Sequence, residues 1–411
     1  MNYKKFLVQF VAAVCMLSCF TYWGGGIAPS EAVTIGGKSL GSITDIIRTA
    51  TGSDFPEIPK HSLMIFERHQ YGSGLRYKSS ILTISADGSV RKRFGDFVHF
   101  DSNYKPVDPA TNVVQRMDLA VSSKRFGNRR NIVYATSGLD TNPDGLYGYQ
   151  TLNSVGTEDS ANITSPSPSN NWWWKNNRQL WGTANLTVKG FENKDVFVYA
   201  HSSKMAVNGT LHFSFFTLDR NESGNITQTE LAVDGGDSQG WKLKDYSDGI
   251  WGVDIAAGDF DGDGYKNEIV MAWNDNTGVY CNIYRVTSPN GNTVRVTSLL
   301  SDGVHTGPQN WGTEHWKQSA VAALAGDFDG DGIQEAAIVT KTNGLSLGDM
   351  RIKVFKYRSS GWTSSELSAA DNQFWGTLKA TRADLDGDGQ DEIVVLVLQD
   401  WYSTTIYPRL E

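Results

Sequence analysis

The stretch "GDFDGDG" at residues 258–264 recurs letter for letter at 326–332 and returns as "ADLDGDG" at 383–389. Each copy sets three aspartates on alternate positions of a short loop. Carboxylates held this close repel one another, and crowding them without a counter-charge raises their pKa values and destabilises the loop. A positive partner is therefore expected. Asp259, Asp261 and Asp263 stand at loop positions 1, 3 and 5, with Gly264 at position 6 to permit a sharp turn. Hard oxygen donors on a tight loop suit calcium, which accepts six to eight oxygens at about 2.3–2.6 Å.

The further ligands separate two kinds of calcium loop. An EF-hand places its bidentate acid at position 12, which here is Val270, Ile338 or Val395, so these are not EF-hands. The acid comes at position 9. The second copy offers Asp327, Asp329, Asp331 and Glu335, with Ile333 at position 7 able to present a backbone carbonyl. The third offers Asp384, Asp386, Asp388 and Glu392, with Gln390 at position 7. In the first, Tyr265 holds position 7, Asn267 holds position 9 and Glu268 follows directly, so either the amide or the carboxylate can be the ligand.

Short, β-branched apolar runs follow each loop: "EIVMAW" (268–273), "AAIVT" (336–340) and "EIVVLVL" (392–398). Runs of this length read as buried strands. "VDIAAGDF" and "VAALAGDF" precede two of the loops, which makes the unit strand, loop, strand. A plain Asp-Gly hairpin is the simpler alternative. It requires neither three alternating aspartates nor a further acid at a fixed offset.

Two worn copies of the unit lie upstream. "WGTANLTVKGFENKDVFVYAHS" (181–202) follows the same order with the acidic loop shortened away, and "MDLAVSSKRFGNRRNIVYATS" (117–137) carries basic residues in place of the aspartates. Five repeats are thus countable. Trp-Gly pairs at Trp181-Gly182, Trp251-Gly252, Trp311-Gly312 and Trp375-Gly376 precede four of them, and periodic aromatic and glycine marks are a feature of propeller blades. The expected fold is an all-β propeller of four-stranded blades, with up to seven blades. The last blade is short of strands, and "HSLMIFERH", "YKSSILTIS" and "VRKRFGDFVHF" are available from the N-terminal side to close the ring.

The aspartate loops between strands resemble the FG-GAP or VCBS repeats of integrin-alpha-type propellers, over roughly residues 61–411; the Gly-Ala-Pro element of that family is absent. The resemblance implies a calcium-stabilised extracellular propeller used for adhesion or ligand binding. It names no ligand.

Residues 1–32 read as a secretory signal: Lys4 and Lys5, an apolar run from Phe6 to Phe20, then a small-residue site that would be cut after Ala32. "MLSC" ending at Cys19 offers a lipoprotein alternative. Residues 33–60 read as a cap or tether before the propeller. Removal of the leader leaves Cys281 as the one cysteine and a net charge of −9, which three calcium ions would bring to about −3. No basic face points to nucleic acid, and no membrane span is expected.

Other constellations are weaker. "DRNESGNITQTE" (219–230) matches an EF-hand loop formally, but strands flank it; "SPNGN" at the corresponding place in the next repeat is an ordinary hairpin turn. Trp172, Trp173 and Trp174, in an Asn- and Ser-rich stretch, can stack on sugar rings or pack between blades. Sequons at Asn162, Asn185, Asn208, Asn221 and Asn225 are glycan acceptors only in a pathway that uses them. His305 and His315 share a loop-rich stretch, yet no catalytic motif accompanies them. The sequence thus points to a secreted or cell-surface monomer with about three structural calcium ions, binding an extracellular glycan or protein. A secreted lyase or glycosidase on the same scaffold is the alternative, its carboxylates meeting only in the fold.

Overall fold

The computed structural model describes residues 16–20, 43–51, 62–71, 74–84, 90–99, 116–126, 129–137, 146–152, 179–192, 194–202, 209–220, 226–237, 240–246, 250–275, 278–306, 321–341, 350–369, 377–384, 388–400 and 403–406. These residues form 24 strands and no helix. The strands fall into successive antiparallel meanders. The first blade is β2 (Ile43–Thr51), β3 (Ser62–Tyr71), β4 (Gly74–Ile84) and β5 (Val90–His99); the second is β6 (Arg116–Phe126), β7 (Arg129–Ser137) and β8 (Leu146–Leu152). The third runs β9 (Gln179–Leu186), β10 (Asp195–Ser202), β11 (Gly209–Arg220) and β12 (Ile226–Asp234), with β13 (Trp241–Tyr246) also on β11. The fourth is β14 (Ile250–Gly258), β15 (Glu268–Asp275), β16 (Gly278–Thr287) and β17 (Thr293–Thr306), and the fifth β18 (Val321–Gly326), β19 (Glu335–Lys341), β20 (Met350–Arg358) and β21 (Gly361–Ala369). The sixth holds β22 (Thr377–Ala383), β23 (Glu392–Asp400) and β24 (Ser403–Ile406), with β1 (Met16–Phe20) pairing antiparallel to β23.

The first strand of every blade meets the first strand of the next: β2 lies against β6, β6 against β9, β9 against β14, β14 against β18, β18 against β22, and β22 returns to β2. That closed ring of six inner strands defines a β-propeller. The five sequence repeats coincide with blades two to six. Strands 62–99, expected to complete the last blade, instead build the first one, with β2 from the segment read as a cap or tether. The N-terminal strand that does reach the last blade is β1, whose Met16–Phe20 register with Val397–Ile393 lies inside the segment read as a leader.

Why the strands read as unbroken apolar runs is clear in the fourth blade. A strand buried on both faces has no solvent side to demand alternation. Ile269, Met271 and Trp273 join a core shared with the third blade, which includes Val198, Phe213 and Phe215. Val270 and Ala272 face the other way, into a core with Val321, Ala323 and Ile338 of the fifth. Cys281 is buried in that second core. At the ring, buried Asp254 of β14 accepts a hydrogen bond from the Ala323 amide of β18, 3.0 Å away.

The formal EF-hand match is a hairpin: Asp219 pairs with Thr227 and Glu230 with Phe216 in the β11–β12 ladder. "SPNGN" is a turn as expected, with Asn290 Oδ1 accepting from the amides of Asn292 and Thr293 and Gly291 at φ 73°. Of the Trp-Gly marks, two fall within β9 and β14, while Trp311 and Trp375 lie outside the described residues, as do Trp172–Trp174 and His315. His305 belongs to β17.

Candidate metal centres

Each acidic loop joins the innermost strand of its blade to the second, so all three loops lie at one end of the ring. The local geometry follows from the residues. Asp259 accepts from the amides of Asp263 (Oδ1, 3.0 Å) and Gly264 (Oδ2, 2.9 Å), and Asp327 Oδ2 accepts from Gly332 at 2.9 Å. Position 5 caps the amide of position 7 in all three copies: Asp263 with Tyr265, Asp331 with Ile333 and Asp388 with Gln390, at 2.8, 3.0 and 2.8 Å. Gly262 and Gly264 have φ of 74° and 85°, and Gly330 and Gly332 match them at 73° and 86°. A side chain is strained in that left-handed region, which is why these positions are glycine.

Carboxylates converge at two of the loops. Oxygens of Asp259, Asp261 and Asp263 lie within 4.8 Å of one another, and so do those of Asp327, Asp329 and Glu335. Burial pushes the Asp259 and Asp327 carboxyls above their ordinary values, with neighbouring carboxylates adding to the rise against bonds from the loop amides. Asp327 Oδ1 and Asp329 Oδ1 are buried with no hydrogen-bond partner, and Asn267 Oδ1 is in the same state. Buried oxygens in this condition cost free energy that a bound cation offsets. An all-oxygen donor set of this kind fits calcium. In the third loop, Asp384 is half-buried, Asp388 is exposed, Glu392 is buried, and Asp386 lies outside the described residues.

At the first loop, Glu268 occupies the place that Glu335 occupies at the second. Both open the second strand of their blade and both accept from the amide at loop position 2, Phe260 at 3.1 Å and Phe328 at 2.8 Å. Both are buried, and burial pushes each carboxyl up to about 7 against the hydrogen bonds that favour its charge. Asn267, one residue earlier, is buried beside it.

Sequence reasoning missed three sets of residues. The first is a pair of basic side chains on the third strands. Arg285 donates to Glu268 at 2.7 Å and also to Asp261, while Lys356 meets Asp329, Asp331 (2.5 Å) and Glu335 (2.9 Å). Burial opposes charge on Asp331, but the bonds from Lys356 and the Ile333 amide outweigh it and lower the pKa. The signal was parity: Arg285 continues the inward row Val279, Cys281, Ile283, and Lys356 the row Ile352, Val354.

The second set is a clasp between blades. The residue that follows the inner strand of the third, fourth and fifth blades bonds the eighth loop residue of the next blade. Gln334 N donates to Asp259 O (3.2 Å) while Gln334 Oε1 accepts from Asp259 N (3.0 Å). Asp391 N donates to Asp327 O (2.7 Å) while Asp391 Oδ2 accepts from Asp327 N (3.0 Å) and from Arg382 (2.7 Å). Thr187 and Lys266 close the third blade onto the fourth in the same place, at 3.0 and 2.6 Å. Gln334→Ala should cost about 1 kcal/mol, the net worth of one hydrogen bond. Asp391→Ala, which strips a carboxylate from part-buried Arg382, should cost roughly 3 kcal/mol. Urea unfolding of the two variants checks the order.

The third set is the Gly-x-Phe that brackets position 1. Phe260 and Phe328 are buried, and a Cβ on Gly326 would sit 2.7 Å from the Phe328 ring. The third copy has Ala383 and Leu385 at these two places, a larger residue opposite a smaller one.

A ring of six meanders with acidic inner loops defines the class: a β-propeller. Residues 327–395 match the FG-GAP-like repeat, which spans the second and third acidic loops. No curated protein matches the chain. Among solved structures, it is similar to the NanB sialidase from Streptococcus pneumoniae at 8% identity, covering 90% of this chain and 70% of that one with a TM-score of 0.46. It is similar to fructan 1-exohydrolase IIa from Cichorium intybus at 10% identity and a TM-score of 0.39, covering 79% of this chain and spanning 58% of the length of that enzyme. The six-bladed lectin of Aleuria aurantia aligns over 74% of this chain and 94% of its own at 10% identity, with a TM-score of 0.28.

Proposed function

We propose that the protein is a secreted, calcium-stabilised propeller that serves as an extracellular binding or adhesion module for a glycan or protein ligand. The observation that supports the metal is the convergence of Asp327, Asp329 and Glu335, with Asp327 Oδ1 and Asp329 Oδ1 buried and met by no protein donor. In this reading Asp259, Asp261, Asp263, Tyr265 and Asn267 hold one ion, with Glu268 as the buried acid behind them. Asp327, Asp329, Asp331, Ile333 and Glu335 hold a second, and Asp384, Asp386, Asp388, Gln390 and Glu392 a third. Tyr265, Ile333 and Gln390 contribute backbone carbonyls. Calcium supplies the positive charge that lets each set of carboxylates stay ionised in a partly buried loop. Because the loops clasp one another across blades, fixing one loop also fixes an edge of the next.

The binding role is tested on a glycan array in calcium, run beside a polysaccharide panel assayed for new reducing or unsaturated ends. Retention without turnover supports the binding module. Turnover of any polysaccharide overturns it in favour of the carbohydrate-active alternative. Export is tested by N-terminal sequencing of the mature chain, with Val33 expected as the first residue. The shortened chain loses β1 and its ladder with β23 but keeps β22, β23 and β24 in the sixth blade.

A further inference from the structure

We propose that Lys356 is a built-in counter-ion of the fifth-blade loop, its ammonium standing where a divalent cation binds, so that this loop exchanges lysine for metal. The inference rests on reading the acidic loops as calcium sites and concerns how one of them differs from the others. Lys356 Nζ contacts Asp329, Asp331 and Glu335, which are three of the four acids of the predicted ligand set. The residue is 9% exposed, and its stem runs along the inward row of β20 behind Ile352 and Val354. A cation desolvated to this degree requires its carboxylates, and the carboxylates require a cation.

Calcium and the ammonium make claims on the same oxygens. The trio Asp327, Asp329 and Glu335 is compact enough for one ion, and Lys356 already holds two of its members. Four methylenes and a compact head let a lysine withdraw from such a site, whereas the rigid guanidinium fork does not reorganise so readily. The fourth blade shows the contrast. Arg285 engages Glu268 and Asp261 from one side, while Asp259 and Asp263 are bonded to loop amides. The fourth-blade loop therefore keeps a rigid cation on one member of its trio, Asp261, and the fifth keeps a flexible one on two, Asp329 and Glu335. The fifth blade stays ordered without metal and takes calcium at the cost of expelling Lys356.

The test is calcium titration by calorimetry on the full chain, comparing wild type with Lys356→Gln, Lys356→Arg and the double variant Lys356→Gln/Asp329→Asn. Lys356→Gln should tighten one site about tenfold, within the usual range of coupling between two binding events. Lys356→Arg, which keeps the charge on a head that reorganises less readily, should bind calcium at this site more weakly than wild type, and the double variant should lose the tightened site. In chelator, Lys356→Gln should melt below wild type, with the gap closing in saturating calcium. If Lys356→Gln does not fold in chelator, recovery on adding calcium supports the exchange and failure to recover contradicts it. Equal affinities in wild type and Lys356→Gln, with calcium bound by both, overturn the role of Lys356 alone. Calcium bound by none of the four chains overturns it together with the calcium reading.

Discussion

Chelation of calcium should lower the melting midpoint of the folded chain by on the order of 10 °C, and readdition should restore it. An ion that binds only the folded state at a hundred times its dissociation constant contributes about 2.7 kcal/mol. Three such loops contribute about 8 kcal/mol, and in a chain this long each kcal/mol moves the midpoint by roughly 1–2 °C. The loops are well placed to transmit this. Position 1 of one loop is tied through both its amide and its carbonyl to position 8 of the next, as Asp259 is to Gln334 and Asp327 to Asp391. Releasing one ion therefore loosens an inter-blade edge as well as a turn. Asp263→Ala is the cleaner variant for this experiment. Its carboxylate is exposed and caps the Tyr265 amide, so its removal should cost little in chelator and most of one site in calcium. Asp329→Ala would also take one of three carboxylates from Lys356, and so should destabilise the chain in chelator as well.

The second large effect concerns packing. Gly326→Ala places a methyl group 2.7 Å from the Phe328 ring and 2.9 Å from the stem of Arg382. The arginine stem can move; the ring, buried beneath the loop, cannot move without disturbing the core. Overpacking of this kind costs about 1–3 kcal/mol. The third repeat carries the compensated form, Ala383 with Leu385, so Phe328→Leu should relieve the clash. The double variant Gly326→Ala/Phe328→Leu should therefore be more stable than the sum of the single costs predicts, by at least about 1 kcal/mol. Additive costs in urea unfolding would show that the glycine answers to something other than the ring.

Much of this fold is legible because the repeat carries its own punctuation. The Asp-rich loop marks the turn between the first two strands, and the apolar runs beside it mark strands buried on both faces. Blades four to six were countable on that basis, and blades two and three because 117–137 and 181–202 keep the same order of strands around an altered loop. No comparable match stands out in the first blade, so its strands registered as strands without a place. A meander needs only alternation and turns, and nothing in residues 43–99 says whether they begin a blade or finish one. The site was legible in its loops and not in its surroundings. Aspartates at fixed spacing lie within a few residues of one another, whereas Arg285 and Lys356 reach the loops across two strands and Gln334 and Asp391 reach them across a blade boundary. Glu268 escaped the fixed offset because its loop is one residue longer, which moved the acid to the start of the strand where Glu335 also stands.

Elemental analysis of the purified chain after dialysis against buffer containing calcium, and then against calcium-free buffer, tests the central claim most directly. Three aspartate loops with buried carboxylate oxygens should hold calcium, and about three ions per chain are expected after the first dialysis and none once the second buffer includes a chelator. A chain that carries no calcium under the first condition would contradict the account, leaving the loops as turns whose charge is met by Arg285 and Lys356 alone.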